Sequence, residues 1–190
     1  MRALDRLNWR VRDEEVFVEF YRKSFRAVHS YLERRLADHG DIDDAVAETY
    51  LVVWRRRQDI PPADSESIAW AIGIARYCLA NQRRSALRRQ RLFLRIRQVA
   101  HEPSGVSESG NWEAIVIAEF NRLSDGDREI LELAYWDDLK VHEIAVVLKC
   151  TSNAASVRLH RAKRRLKERA EAGAGVSVCT AEENVDGALF

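Results

Sequence analysis

A chain of 190 residues with 46% apolar content, 8 glycines and 3 prolines has enough material for one or two packed helical cores. Its three cysteines, Cys78, Cys150 and Cys179, show no paired spacing, which excludes a disulfide framework and a cysteine zinc site. The formal net charge is only +1, but the charges stand in blocks of one sign, and such blocks meet partners of both signs.

The N-terminal stretch MRALDRLNWRVRDEE has charge but no apolar core, so it is not a secretory signal. No run approaches the length of a membrane span, and a cytoplasmic protein without membrane insertion is expected. The first predicted helix covers about 14–36, where Phe17, Phe20, Tyr21, Phe25, Val28, Tyr31 and Leu32 recur at three- and four-residue steps. A second covers about 41–57, with Ile42, Ala45, Val46, Thr49, Tyr50, Val53 and Trp54 facing inward. The acids Asp41, Asp43, Asp44 and Glu48 fall in its first turns and Arg55, Arg56 and Arg57 in its last, which suits the helix dipole. That dipole is half the account of the acidic block; a basic protein partner is the other half.

Pro61 and Pro62 end this helix, and Asp64, Ser65 and Glu66 read as a cap for the next. The third helix starts near Ser67 and runs toward Arg97, with Ile68, Ala71, Ile72, Ala75, Cys78 and Leu79 inward. From Arg83 to Arg97 there are seven arginines and no acid, and no i,i+4 acid relieves their repulsion. An anion such as a phosphate backbone would relieve it. Just before them, Tyr77, Asn81 and Gln82 supply groups able to stack on or hydrogen-bond unpaired bases, although Tyr77 fits a half-buried core position equally well.

His101 to Asn111 is rich in Pro, Gly and Ser and reads as a flexible linker. A second helical unit then begins near Trp112, with Ser124 and Asp127 as a capping arrangement before Ile130, Leu131 and Leu133. A short helix with Ile144, Ala145, Val147 and Leu148 meets a break at Lys149-Cys150-Thr151. The next helix carries Ala155, Leu159, Ala162 and Leu166 on one face and Ser156, His160, Arg161, Lys163, Arg164 and Lys167 on the other. This is the layout of a helix-turn-helix, and on pattern alone equally that of a helical hairpin with a solvated basic face. The arginine block, a second candidate nucleic-acid surface, favours the former. Residues 173–190 hold Gly, Ala and acids and read as a disordered acidic tail.

Catalytic patterns are missing. His142-Glu143 opens like a zinc-protease motif, but its second histidine position is Val146. No phosphate-cradling glycine loop and no local Ser, His and Asp arrangement occur, so no enzyme and no cofactor are expected. The fold expected is all-α, with two small helical domains on a flexible linker, the second containing the helix-turn-helix.

At these residues the chain resembles the extracytoplasmic-function (ECF) class of alternative RNA polymerase sigma factors, within the sigma-70 superfamily, over about 16–169. DIDDAVAETYLVVWRR resembles the family's polymerase-binding helix, and SIAWAIGIARYCLANQRRS the helix that meets the downstream promoter element. LSDGDREILELAYWDDLKVHEIAVVL and SVRLHRAKRRLKER resemble the domain that reads the upstream element. The resemblance implies a domain-2-like unit at 1–100, a linker at 101–111, a domain-4-like unit at 112–172 and a tail at 173–190. It assigns core-polymerase binding to Asp41, Asp44 and Glu48. Downstream-promoter contact goes to Asp64, Ser65, Arg76, Asn81, Arg84 and Arg88, with 60–65 as the loop that captures a flipped base. Upstream-promoter contact goes to Asn153, Ser156, Val157, Arg158, His160, Arg161 and Arg164. RNA polymerase core, duplex and melted promoter DNA, and an anti-sigma factor are the implied partners.

The chain departs from the family pattern in three places. Ala47 stands where Gln is frequent, Lys149 where the turn favours Gly, and Ala154-Ala155-Ser156 where Thr-Val-Lys or Arg is common. The rival reading is a stand-alone helix-turn-helix regulator whose first half dimerises or binds a ligand. A helical enzyme would need a polar pocket with perturbed acids, for which the sequence offers no residues.

Overall fold

The computed structural model describes residues 2–94 and 112–174, with side chains over 14–84 and 112–174. Seven α-helices and one 3-10 turn make up the described residues: α1 (Arg2–Glu33), α2 (His39–Arg55), the turn Arg57–Asp59, α3 (Asp64–Leu94), α4 (Trp112–Asn121), α5 (Asp125–Tyr135), α6 (Val141–Leu148) and α7 (Ser152–Gly173). Contacts divide them into two units, α1–α3 and α4–α7. This is the expected all-α architecture with a helix-turn-helix in the second unit. The expected linker lies outside the described residues, as do Arg95, Arg97 and the tail from 175 on.

In the first unit each helix packs on the other two. Phe20, Val28, Tyr31 and Leu32 of α1 meet Ile42, Ala45, Val46, Tyr50 and Val53 of α2, all buried. From α3 come Ala69, Ala71, Ile72, Ile74, Ala75, Cys78 and Leu79, and its three fully buried alanines permit close backbone approach. Two polar groups inside are satisfied: Ser24 Oγ lies 2.9 Å from Tyr50 Oη and donates to Phe20 O, and Thr49 Oγ1 donates to Ala45 O at 2.7 Å. Burial pushes the Tyr50 hydroxyl up to about 12 and the Cys78 thiol up to about 11. Cys78 is therefore a packing residue with an unreactive thiol.

Several expected boundaries shift. Asp38 accepts from the Gly40 and Asp41 amides, so α2 starts two residues early. It stops at Arg55 because Arg56 and Arg57 turn away. Arg56 pairs with Asp59 at 2.9 Å and lies over Trp70; Arg57 lies over Trp54 and bonds its carbonyl. Asp64, Ser65 and Glu66 form the first turn of α3 itself, where acids favour the dipole, and do not precede it as a cap. On α1, Phe17, Tyr21 and Phe25 are not interior; with Tyr50 and Trp54 they form an aromatic cluster whose outer member, Tyr21, is 37% exposed.

The second unit is organised by α7, which packs on α4, α5 and α6. Ala155, Ala162, Leu166 and Ala170 are its buried stripe, against Val116, Phe120, Ile130, Leu131, Leu133, Ile144 and Val147. Ser124 caps α5 by accepting the Asp127 amide, as its spacing predicts. Glu143 Oε2 accepts the Lys140 amide at 2.7 Å, half of a capping box that starts α6. The residue that imitates a protease glutamate is thus a helix cap. At the other end Lys149 adopts φ 52°, ψ 48°, Cys150 N donates to Ala145 O and Lys149 N to Val146 O. These two bonds are a Schellman closure, and it needs a left-handed residue at Lys149. Thr151 then caps α7 through the Ala154 amide at 3.2 Å. Because a β-carbon is disfavoured in that left-handed region by about 1 kcal/mol, Lys149→Gly is expected to stabilise this unit by about that amount. Urea unfolding checks this; equal or lower stability would show the turn is not strained.

Candidate nucleic-acid and protein interfaces

On α2 the acidic residues form one outward stripe. Asp41 and Asp44 are exposed with no side-chain partner among the described residues, while Glu48 is half-buried and accepts from Gln82 Nε2 at 3.4 Å. At about 100° per residue, Leu51 and Arg55 continue the same face. Leu51 is 57% exposed, an apolar side chain at the end of an acidic stripe. Sequence reading passed over it because an isolated leucine on a helix looks like core.

The face of α3 is shared by Tyr77, Asn81 and Arg84, at i, i+4 and i+7. Tyr77 is 60% exposed, so it is not the half-buried core residue that its sequence position also allowed. Asn81 and Arg84 are exposed, and Arg84 Nε donates to Ala80 O at 3.2 Å. Arg88 falls on the same helical face, but its side chain lies outside the described residues. Arg76 is one residue from Tyr77, about 100° around the helix, and half-buried. Asp64 and Ser65 are exposed three turns away at the start of α3, and Asp64 is engaged by Lys23 Nζ at 3.4 Å. The structure thus groups Asn81, Arg84 and Tyr77 and leaves Arg76, Asp64 and Ser65 apart from them.

On α7 the cations sort into two classes. Arg165 makes two hydrogen bonds to the Asp127 carboxylate, at 2.7 and 3.0 Å, and Arg169 Nε reaches Glu119 Oε2 at 3.1 Å. Lys163 lies 4.8 Å over the Tyr135 ring. These three hold the unit together. Arg158, His160 and Arg161 are exposed with no partner among the described residues, and Arg164 has only the solvated pair with Glu168 at 3.3 Å. Asn153, Val157, His160, Arg161 and Arg164 share the face opposite the buried stripe, and Val157 is 40% exposed there. Ser156 and Arg158 lie on its two flanks. Arg158 leans toward α5, its Nη2 being 3.8 Å from where a β-carbon on Gly126 would sit.

Behind this face, Glu119 is buried and hydrogen-bonded by both Arg122 and Arg169. Burial alone would raise its carboxyl, but the two guanidinium groups outweigh it and hold the pKa below the ordinary glutamate value. A carboxylate depressed in the folded state contributes stability above its unfolded pKa, near 4.3, and loses it as pH falls through the folded value. Thermal melts of the chain at pH 6 and pH 3 are expected to show the second unit losing more stability than in Glu119→Gln. Parallel losses would remove Glu119 as the acid-sensitive group.

Comparison with known proteins matches these units one by one. A model described as Sigma-70 region 2 matches residues 20–92, and one described as Sigma-70, region 4 matches residues 114–166. The ECF RNA polymerase sigma factor SigK of Mycobacterium tuberculosis is 26% identical over 160 residues, spanning 82% of this chain and 86% of that protein. SigK of Mycolicibacterium vanbaalenii is 26% identical over 141 residues, 70% of this chain and 71% of its own. Among solved structures, the sigma factor RpoE of Bartonella quintana, crystallised with the anti-sigma factor NepR, superposes with a TM-score of 0.56 at 21% identity. That match spans 80% of this chain and 94% of RpoE, and it shows likeness of fold. No described helix is long and apolar enough to cross a membrane. With both regions matched in order and each carrying an exposed charged face, the chain belongs to the sigma-70 family of RNA polymerase sigma factors, in its ECF class.

Proposed function

We propose that this protein is an alternative sigma factor that binds RNA polymerase core, directs it to specific promoters and helps open the downstream promoter element. The carrying observation is that two sigma-70 regions, 20–92 and 114–166, fall on two separate helical units with outward faces of different chemistry. It acts in the cytoplasm as an initiation factor and catalyses no reaction of its own.

The acidic face of α2, Asp41, Asp44 and Glu48 with Leu51 as an apolar anchor, docks on core polymerase. Charge guides the encounter and sets register, and the exposed leucine, covered on docking, supplies affinity. On α3, Tyr77 offers a ring for an unpaired base while Asn81, Arg84 and Arg88 meet the strand backbone. Arg76, Asp64 and Ser65 contribute from the neighbouring surface, Asp64 and Ser65 beside the loop that takes an extruded base. The α7 face lies in the major groove of the upstream element. There Asn153, Val157, His160 and Arg161 meet base edges, while Ser156, Arg158 and Arg164 meet phosphates. An anti-sigma factor regulates the protein by covering these faces; the likeness of fold to RpoE, which was crystallised with an anti-sigma factor, supports such a partner.

Titration of the purified protein into core polymerase tests this reading. Stoichiometric, saturable binding that then confers promoter-specific transcription is expected. No binding to core, with tight sequence-specific binding of the free protein as a dimer, would replace it with a stand-alone regulator.

A further inference from the structure

We infer that Val157 reads the C5-methyl group of a thymine in the upstream promoter element, and that this contact helps set which promoters the protein selects. The inference rests on the proposal that the outward face of α7 enters the major groove, and it names a base which that face requires.

Val157 is out of keeping with its surroundings. Among the described residues of α7 it is the one exposed large apolar side chain, at 40% exposure. It stands about half a turn from the buried stripe of Ala155, Ala162 and Leu166, so its methyl groups add nothing to the core. One turn before it is Asn153 and one turn after it Arg161, both exposed and polar, with Ser156 and Arg158 on either side. A β-branched side chain is a poor choice for a solvated helix position, because it loses rotamer freedom there without gaining packing. What it does have is rigidity. A helical valine holds one rotamer in about 90% of cases, so its two methyl groups are presented at a fixed place and little entropy is lost when they are covered.

The major groove offers one group that fits such a surface. Its base edges are hydrogen-bond donors and acceptors, except for the thymine methyl, which is apolar. A cytosine at the same place lacks that methyl. A purine would set its N7 acceptor against the valine, where the acceptor loses water and gains no donor. Asn153 and Arg161 carry donors and have no use for a methyl, whereas Val157 can use nothing else. Loss of one methyl from an apolar contact of this kind lowers affinity about three- to tenfold.

The helix also sets the register. Val157 and Arg161 are four residues apart, about 6 Å along α7. Base steps in duplex DNA are about 3.4 Å, so the thymine lies one or two steps from the guanine that Arg161 bonds.

The test uses the full chain bound to core polymerase. A duplex library randomised across the upstream region is selected for binding by this complex. The selected promoter is then remade with each upstream thymine in turn replaced by deoxyuridine, which lacks only the C5-methyl and keeps every hydrogen bond. One replacement, one or two steps from a selected guanine, is expected to weaken binding about three- to tenfold, and the others to leave it close to unchanged. Val157→Ala is expected to bind the thymine and deoxyuridine promoters equally. Val157→Thr, which keeps one methyl on its β-carbon, is expected to retain part of the preference. Arg161→Ala is expected to bind both promoters more weakly and to keep their ratio. Binding to core is expected to stay the same in all three variants, since both positions are exposed. A selected element that no deoxyuridine weakens, or a deoxyuridine effect of equal size in Val157→Ala, would overturn the methyl contact while leaving α7 as the groove reader. Selection of no upstream sequence at all would remove α7 from the groove, and this inference with it.

Discussion

Replacing Asp41 and Asp44 with lysine is expected to weaken binding to core RNA polymerase by about 10- to 100-fold and to leave the fold of the first unit unchanged. Both side chains are exposed and unpartnered among the described residues, so reversal removes no internal contact. On the partner side, each reversal turns an attraction into a like-charge clash. A cost of about 1.4–2.8 kcal/mol for the pair corresponds to one or two orders of magnitude in affinity. Glu48 is a less clean target because it also accepts from Gln82 across to α3. Fluorescence anisotropy of labelled protein against core gives the affinity, and circular dichroism the fold. Wild-type affinity in the doubly reversed protein would remove the acidic stripe from the docking surface.

The second large effect is expected from Arg161→Ala. Arg161 is exposed at the middle of the α7 face, with the spare donors to bond a guanine edge in the major groove. Loss of such a bidentate contact costs about 1–3 kcal/mol, so use of promoters that depend on the upstream element falls about 5- to 150-fold. Arg158→Ala is expected to do less and to act differently. Its flank position beside Gly126 suits a phosphate, so binding weakens similarly on all sequences and the salt slope drops by about one. Core binding stays the same in both variants. Promoter-specific transcription unaffected by Arg161→Ala would mean that another face of α7 enters the groove.

Helix positions were legible because three- and four-residue spacing of Val28, Tyr31 and Leu32, or of Ala155, Ala162 and Leu166, leaves few other folds for those segments. The turn after α6 was legible too. The sequence marks a break between two apolar stripes at Lys149-Cys150-Thr151, and the structure closes it with Lys149 in the left-handed region. What the sequence concealed was partnership across the chain. The basic block from Arg158 to Arg169 looks uniform, yet Arg165 and Arg169 find acids 38 and 50 residues away, and only the outward cations remain available. No local pattern encodes such pairing, since it follows from how α7 lies against α4 and α5. Leu51 was obscured, and Tyr77 left undecided, for the converse reason. Apolar side chains in helices are read as core, and only the packed bundle shows that these two face outward.

The central claim is that this chain gives polymerase its promoter choice. The most direct test mixes the purified protein with sigma-free bacterial core polymerase and a genomic promoter library, then sequences the run-off transcripts. Discrete starts sharing two spaced upstream motifs, absent without the protein, are the predicted result. Starts unchanged by its addition, with the free protein still footprinting duplex DNA, would contradict the claim.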